Sequence, residues 1–416
     1  MTDWKQFLIN HGQSVQNIDA EQMLASYLDE MKRGLSGTSS LPMIPTYLQN
    51  IDRSAIKDGK RIIIDAGGTN FRSALGYFRE GKPVLENIRK TSMPAIDKEL
   101  SADEFYNQIA QNISYLLDEG DDVGFCFSYQ VDMDKDIDGK VVMFSKEVKA
   151  PQVIGTKVGE STLAAVAKLS DKPRKIVILN DTVATLLGGM ATFHKQYSAY
   201  VGYIFGTGTN LCYFENTTNI TKVQGLAPGK MIVNTESGSF DKLNQGDYDK
   251  AVANATAAPT KQLLEKMTSG RYLSEVIRKT FEGAASEGVF QKSVMFRSFQ
   301  LKEVSAFVGG DDFGGMFGCK DDEQIARNIC MQLIDRSALI GAIINAGAAI
   351  ASCEDKSLPV AIVCEGTTFN KLPGFRQGFE KHLGELLGKR GISFEILQGE
   401  ELNLVGTLMS TMVLSR

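Results

Sequence analysis

Two short turns rich in glycine, threonine and asparagine are the segments of this sequence best suited to chemistry. Residues 67–70 read Gly-Gly-Thr-Asn, and residues 206–210 read Gly-Thr-Gly-Thr-Asn. Each turn lies between two apolar runs, which predicts a hairpin with the turn at its tip. Glycines let backbone N–H groups approach a phosphate without a Cβ in the way. Although ordinary turns favour the same residues, the repeat predicts a phosphate-bearing ligand held by two related hairpins.

Charged and polar side chains flank the first turn. Thr69 and Asn70 add hydrogen-bond donors, and the guanidinium fork of Arg72 suits phosphate oxygens. Asp65 stands at the predicted strand end, where it could hold water on a magnesium ion, because Mg²⁺ prefers few carboxylates together with waters and phosphate oxygens. The turn is neither a Walker loop, which needs Gly-Lys-Ser/Thr, nor a dinucleotide fingerprint, since a strand follows it rather than a helix.

A third segment places a carboxylate between a strand and a helix. An apolar strand is predicted to end at Leu179, and a helix is predicted to begin after Asn180 and Asp181. Such a carboxylate suits a general base that takes a proton from an alcohol as the alcohol attacks a phosphoryl group. Aspartate before a helix is also a common N-cap, so the segment alone leaves both interpretations open. Further polar residues next to predicted strand ends would suit a sugar if they met in one cleft: Ser128, Ser145, Lys146 and Glu236.

Composition and patterning favour a two-domain α/β protein. The chain has 416 residues, which is long for one core, and 43% of them are hydrophobic. Predicted strands and helices alternate. Helices are predicted at 3–33, 102–117, 163–169, 181–192, 275–285, 324–352, 375–387 and 402–414, and further strands at 123–128, 175–179, 358–364 and 392–397.

The same data argue against several classes of protein. The net charge of −5 and the lack of a basic cluster disfavour nucleic-acid binding. Six scattered cysteines and three distant histidines form no metal motif. The most apolar stretch, residues 338–351, is shorter than the ~20 residues of a membrane span and predicts a buried helix. The N-terminal residues lack a signal pattern, and we expect a cytoplasmic location without membrane partners.

With these segments in order along the chain, the sequence resembles the hexokinase family, the glucokinase-type sugar kinases of the actin-like ATPase superfamily. The resemblance runs from about Ile62 to Met409. The matching segments are 65–72, 125–128, 145–146, 179–185, 206–210, 234–236, and Glu265 ahead of 269–272.

The resemblance implies a fold, a reaction and a role for each matched residue. The fold would be an actin-like (ribonuclease H-like) α/β ATPase of two lobes around a cleft, with residues 57–180 and 402–416 in a small lobe and residues 1–56 and 181–401 in a large lobe. The lobes would close over the substrates, and ATP would phosphorylate the 6-hydroxyl of glucose or a related hexose with Mg²⁺.

Asp181 would be the base, and Lys146 would meet the transferred phosphoryl group. The sugar ligands would be Ser128, Ser145, Lys146, Asn180, Asp181, Asn210, Glu236 and Glu265. The nucleotide would be held by Asp65, Gly67, Gly68, Thr69, Asn70, Arg72, Gly206, Thr207 and Gly208, with Gly366 and Thr367 near the adenosine. Mg²⁺ would bind Asp65 and Asp181 through water.

The sequence also departs from the family pattern at a few positions. Gln130 stands in place of a proline, Ser145 in place of a threonine, and Ser237 in place of a tryptophan. The family's Gly-Ser-Gly-rich start of the last helix reads Glu400-Glu401-Leu402 here. A kinase for another hexose or amino sugar, and a sugar sensor without turnover, are alternatives. An actin-like chaperone ATPase would not need the predicted sugar ligands. The oligomeric state is left open.

Overall fold

The structure, a computed structural model, describes residues 2–51, 58–144 and 148–415. The strands are β1 Ile44–Gln49, β2 Arg61–Gly67, β3 Asn70–Arg79, β4 Lys82–Ser92, β5 Val123–Phe127, β6 Gln130–Met133, β7 Gly139–Met143, β8 Ile176–Leu179, β9 Ala199–Phe205, β10 Thr209–Asn216, β11 Lys230–Asn234, β12 Val360–Glu365 and β13 Phe394–Leu397. The helices are α1 Trp4–Asn10, α2 Ala20–Leu35, α3 Ala102–Ile113, α4 Val158–Ala167, α5 Asp181–Thr192, α6 Asp247–Asn254, α7 Leu263–Thr268, α8 Gly270–Ser286, α9 Leu301–Val308, α10 Lys320–Ser352, α11 Thr367–Lys371, α12 Phe375–Gly388 and α13 Leu402–Ser410.

The chain forms two compact units, each made of segments distant in sequence. Unit 1 comprises Met1–Pro42, Tyr203–Leu211 and Thr235–Glu395, and unit 2 comprises Met43–Gly202, Cys212–Asn234 and Ile396–Arg416. These bounds differ from the predicted lobes, 57–180 with 402–416 and 1–56 with 181–401. The assignment of residues to lobes therefore stays a prediction.

Unit 2 is built on a five-stranded sheet with the order β4-β3-β2-β5-β8. Strands β2, β5 and β8 are parallel, with Asp65 opposite Cys126 and Cys126 opposite Leu179. Their apolar residues are buried on both faces, as expected for parallel strands covered by helices. Helices α3 and α4 pack into the core on one side and α5 and α13 into the core on the other. The carboxyl ends of the three parallel strands thus lie at one edge, where α/β proteins commonly bind ligands.

Two glycines bring α5 and α13 into close contact. A Cβ on Gly188 would lie 2.2 Å from the carbonyl oxygen of Leu402, and a Cβ on Gly406 would overlap the carbonyl oxygen of Ala184. The hydroxyl of Thr185 also donates a buried 2.9 Å hydrogen bond to Asn403 Oδ1. The late helix α13 therefore supports the helix that begins at Asp181.

The second large sheet has the order β1-β11-β10-β9-β12-β13. Strand β11 pairs antiparallel with both β1 and β10. In unit 1, the 33-residue α10 packs against α2 and α12. By length and composition α10 could cross a membrane, but 89% of its most apolar window is buried within the protein, as in a core helix. Residues 338–349 are buried, as predicted, although the helix extends well beyond them.

The predicted N-terminal helix over residues 3–33 is wrong in one respect, because the structure divides it. Helix α1 ends at Asn10, and α2 begins after the N-cap Asp19, whose side chain accepts a hydrogen bond from Gln22 N. Between them Gly12 has a φ of +69°, and a Cβ there would lie 2.9 Å from Gly246 Cα. Apolar periodicity continues through the break, so it did not reveal this left-handed residue.

Candidate active site

The first turn is the tip of a tight hairpin in unit 2. Gly67 pairs with Asn70 across β2 and β3, which leaves Gly68 and Thr69 as a two-residue loop. Gly68 has a φ of +59°, and a Cβ added there would meet nothing within 4 Å. Residues 68–70 are exposed, while the hydroxyl of Tyr129 donates a 2.8 Å hydrogen bond to the carbonyl of Gly68. The carbonyl of Thr69 accepts a 3.0 Å hydrogen bond from Met93 N, so Tyr129 and Met93 together fix the shape of an exposed tip.

Arg72 lies opposite Asp65 in the same hairpin and binds two carboxylates. Its Nε donates to Asp65 Oδ2 at 2.9 Å, and its Nη2 donates to the same oxygen at 2.5 Å. Its Nη1 donates to Glu401 Oε2 at 2.5 Å. Both bonds from Arg72 to Asp65 end on Oδ2, and the role of this carboxylate in magnesium binding stays a prediction.

The other predicted residues of unit 2 follow the neighbouring parallel strands. Ser128 comes directly after β5, its backbone N–H donates to the carbonyl of Ala66 at 3.0 Å, and a Cβ on Gly67 would lie 2.9 Å from its Oγ. Asn180 is the N-cap of α5, and its Oδ1 accepts a 2.9 Å hydrogen bond from Thr182 N. Asp181 is the first residue of α5, and its Oδ1 accepts from the same N–H at 2.8 Å. The structure thus brings Asp65, Ser128 and Asp181 to one sheet edge.

Two carboxylates at this edge act on the buried thiol of Cys126. Burial raises the pKa of the Cys126 thiol well above its usual range, and the charges of Asp65 and Asp181 raise it further. The carboxylates of Asp65 and Asp181 therefore both lie near β5, the strand that carries Cys126. One or two carboxylates with water and phosphate oxygens are what Mg²⁺ takes at a phosphoryl-transfer site, so the two aspartates fit this ion. Within the described residues no group of three or more potential metal ligands occurs.

The second turn, in unit 1, is held by backbone and side chains of other segments. The N–H of Gly206 donates to the carbonyl of Gly208 at 2.9 Å. The carbonyl of Gly206 accepts from Gly270 N at 2.9 Å and from the hydroxyl of Thr368 at 3.0 Å, and the carbonyl of Thr207 accepts from Arg271 N at 3.1 Å. Gly206 is buried, whereas Thr207 is exposed. Much of this turn's hydrogen-bonding capacity is therefore used by the protein.

The predicted sugar ligands of unit 1 cluster around the second turn. Asn210 Nδ2 donates to Glu236 Oε1 at 3.3 Å, and Asn210 Oδ1 accepts from Ser237 N at 3.3 Å. Glu265 Oε2 accepts from Thr209 N at 3.3 Å, and a Cβ on Gly208 would lie 2.7 Å from the same oxygen. Two carboxylates and an amide thus lie around one turn, which offers several acceptors and a donor to hydroxyl groups.

The predicted adenosine residues, Gly366 and Thr367, also lie at the second turn. Gly366 has a φ of +127°, and a Cβ there would lie 2.2 Å from the carbonyl oxygen of Phe205. Thr367 is the first residue of α11. Only glycine fits between strand β12 and the turn, so the identity of this residue is explained by packing as well as by any contact with a nucleotide.

Two predicted site residues, Ser145 and Lys146, lie outside the described residues, and their roles stay predictions. Three residues with direct contacts to the predicted set were not found from the sequence: Tyr129, Thr368 and Glu401. Tyr129 directly follows Ser128 and Thr368 directly follows Thr367, so proximity along the chain was the available signal. The partner of Glu401 is 329 residues away in sequence, and no local pattern indicates such a contact.

Comparisons with known proteins agree with the resemblance. Family models described as hexokinase match residues 9–191 and residues 200–413. Human hexokinase HKDC1 is 28% identical over 426 residues, covering 91% of this chain, and rice hexokinase-5 is 34% identical over 270 residues, covering 60%. The chain spans about half the length of these relatives, 44% and 52% respectively. The structure of the Schistosoma mansoni hexokinase complexed with glucose superposes with a TM-score of 0.83 and 22% identity, covering 99% of this chain and all of that one.

Because one of these family models matches more than half of the sequence, the chain belongs to the hexokinase family. The structural similarity confirms the predicted fold class, an α/β fold of the actin-like ATPase type. The roles of the individual residues are not tested by these similarities and remain predictions.

Proposed function

We propose that this chain transfers the γ-phosphoryl group of ATP to the 6-hydroxyl of glucose or a related hexose, giving hexose 6-phosphate and ADP. Membership of the hexokinase family supports this proposal. The observation that carries it is the common edge of the parallel strands β2, β5 and β8: Asp65 lies near the end of β2, Ser128 follows β5, and Asp181 begins α5 shortly after β8. This edge combines an exposed glycine turn with two carboxylates, as phosphoryl transfer to an alcohol requires.

Asp181 is the proposed general base. Its carboxylate accepts the proton of the attacking hydroxyl as the oxygen forms its bond to phosphorus. The hydrogen bond from Thr182 N to Oδ1 fixes the orientation of this carboxylate at the start of α5. Orientation is the main requirement, because phosphoryl transfer depends on positioning and charge stabilisation rather than on covalent catalysis.

The remaining roles divide between binding the nucleotide and binding the sugar. Gly67–Asn70 and Gly206–Gly208 are the proposed phosphate-binding turns, assisted by Arg72. Asp65 and Asp181 would hold Mg²⁺, which supplies charge neutralisation to the phosphate oxygens when bound. The proposed sugar ligands are Ser128, Ser145, Lys146, Asn180, Asn210, Glu236 and Glu265, and Lys146 would also meet the transferred group.

A coupled assay for ADP across glucose, mannose, fructose and N-acetylglucosamine, with ATP and Mg²⁺, tests the proposal. We expect ADP release that depends on a hexose, with the product identified as the 6-phosphate. Turnover with N-acetylglucosamine alone would favour an amino-sugar kinase. A sugar-dependent change in Trp4 fluorescence or hydrogen exchange, without ADP release for any sugar, would overturn the proposal in favour of a sensor.

A further inference from the structure

All three nitrogens of the Arg72 guanidinium donate hydrogen bonds to carboxylates. Nε and Nη2 donate to Asp65, and Nη1 donates to Glu401. A guanidinium recognises a phosphate through two N–H groups on adjacent nitrogens. Each such pair of nitrogens on Arg72 already contacts a carboxylate, so a phosphate bound through Nη1 and Nη2 would lie beside Glu401 and compete with it for Nη1.

The two carboxylates are held differently. Asp65 lies in the buried part of β2, its side chain is 10% exposed, and it accepts two bonds from Arg72. Glu401 accepts one bond and its side chain is 40% exposed. An exposed ion pair contributes less to stability than a partly buried, doubly bonded pair. Glu401 is therefore the partner that a phosphate displaces more easily.

Glu401 also occupies an unfavourable backbone conformation. Its φ is +54° and its ψ +27°, a left-handed conformation at the N-cap of α13. Left-handed backbone favours glycine over residues with a Cβ. The ion pair with Arg72 is thus made by a residue whose backbone conformation carries a cost.

We propose that Glu401 is a positioning residue that competes with the nucleotide phosphates for Arg72. Without nucleotide, Glu401 holds Nη1 of Arg72; when the nucleotide binds, a phosphate oxygen replaces the Glu401 carboxylate and Asp65 keeps its two bonds. The negative charge of Glu401 near the phosphates also opposes binding. This inference rests on the proposed function, because it assumes a nucleotide at the first turn. Glu401 thus weakens nucleotide affinity through Arg72.

Binding of MgADP to the full chain, measured by calorimetry, tests the proposal without requiring catalysis. Glu401→Gln keeps the shape of the side chain and removes its charge, so we expect the Kd to fall about two- to fivefold, the range of one exposed ion pair. The gain should shrink at high salt. Glu400→Gln is the matched control, because Glu400 is the exposed neighbouring glutamate, and its Kd should stay within about twofold of the wild type.

A double-mutant cycle separates action through Arg72 from general repulsion. In an Arg72→Ala background, Glu401→Gln should change the Kd less than in the wild type. In steady-state assays Glu401→Gln should lower the KM for ATP and leave the KM for the hexose unchanged, which a general structural disturbance would not do.

Several outcomes would overturn the proposal. These are an unchanged or weaker affinity in Glu401→Gln, an equal gain in Glu400→Gln, or a full gain that persists without Arg72. A chain that binds MgADP but phosphorylates no sugar would overturn the proposed function alone, and the variants would still decide the role of Glu401. A chain that binds no nucleotide would overturn both.

Discussion

The two glycine-threonine-asparagine turns share a sequence pattern but differ in how the protein holds them. The first turn has three exposed residues at its tip, where the carbonyls of Gly68 and Thr69 accept hydrogen bonds from the hydroxyl of Tyr129 and from Met93 N. The second turn is tied to Gly270, Arg271 and Thr368, and it supports the cluster of Asn210, Glu236 and Glu265. Because a ligand reaches the exposed residues of a turn first, we expect the first turn to contact phosphate more directly than the second, and the side chains around the second turn to contact hydroxyl groups.

The largest expected effect tests the role of Asp181 as the proposed general base. Asp181→Ala should lower kcat by ~10²–10⁴, the usual contribution of a general base, because no carboxylate then takes the hydroxyl proton. Hexose binding, measured by calorimetry, should change little, since the proposed sugar ligands of unit 1 remain. A kcat near that of the wild type would remove Asp181 from the role of base, and a thermal unfolding curve checks that the variant is folded.

The next effect tests how tightly the second turn is packed. Gly366→Ala would place a Cβ 2.2 Å from the carbonyl of Phe205 at a φ of +127°. We expect the free energy of unfolding to fall by about 2–4 kcal/mol, from overpacking and backbone strain. Gly68→Ala, at a φ of +59° with open space around it, should cost only about 1 kcal/mol. Urea unfolding measures both variants, and equal losses would contradict the contrast between the turns.

A substitution in the cluster of Asn210, Glu236 and Glu265 tests whether the side chains around the second turn bind the sugar. Glu236→Gln should raise the KM for the hexose about 5- to 12-fold, because a charge-assisted hydrogen bond of about 1.5–3 kcal/mol becomes a neutral one of about 0.5–1.5 kcal/mol. The KM for ATP should stay near its wild-type value. Steady-state kinetics with each substrate varied in turn distinguishes the two constants. A rise confined to the KM for ATP would contradict the proposed role of Glu236 as a sugar ligand.

The smallest effects compare one hydroxyl at each turn. Tyr129→Phe removes the bond to Gly68, and Thr368→Val removes the bond to Gly206. Thr368 is buried and water does not replace its bond easily, so we expect a loss of about 0.5–1.5 kcal/mol in unfolding free energy. Tyr129→Phe should cost less, because the exposed Gly68 carbonyl can bind water, and should raise the KM for ATP instead. Thr368→Ser, which keeps the hydroxyl, is the control.

Local patterns predicted the elements that carry the site. The helix predicted over 181–192 is α5, Asp181–Thr192, and the strands around both turns are present at the predicted places. An apolar run, a capping residue and a glycine turn act over a few residues, so the sequence displays them directly. The resemblance to the family then selected Asp181 from among the many aspartates that precede helices.

Contacts between distant residues could not be predicted in this way. Arg72 was predicted to bind phosphate, which stays a prediction, and the sequence did not indicate its ion pairs with Asp65 and Glu401. Thr368 and Gly206 are 162 residues apart, and neither has a local feature that indicates the other. The N-terminal helix was predicted as continuous because its apolar spacing is regular, while the break at Gly12 depends on packing against Gly246.

The packing of α13 on α5 has a consequence for synthesis of the chain. The face of α5 that includes Val183 and Leu187 belongs to a core that also contains Leu404 and Leu408 of α13. Residues 193–401 take roughly 10–40 s to translate at about 5–20 residues per second. During that interval the helix that begins with Asp181 lacks its partner, and its apolar face is accessible to chaperones or to other nascent chains. Folding of unit 2 is therefore completed only after α13 has been translated, although most of the sheet of this unit is translated early.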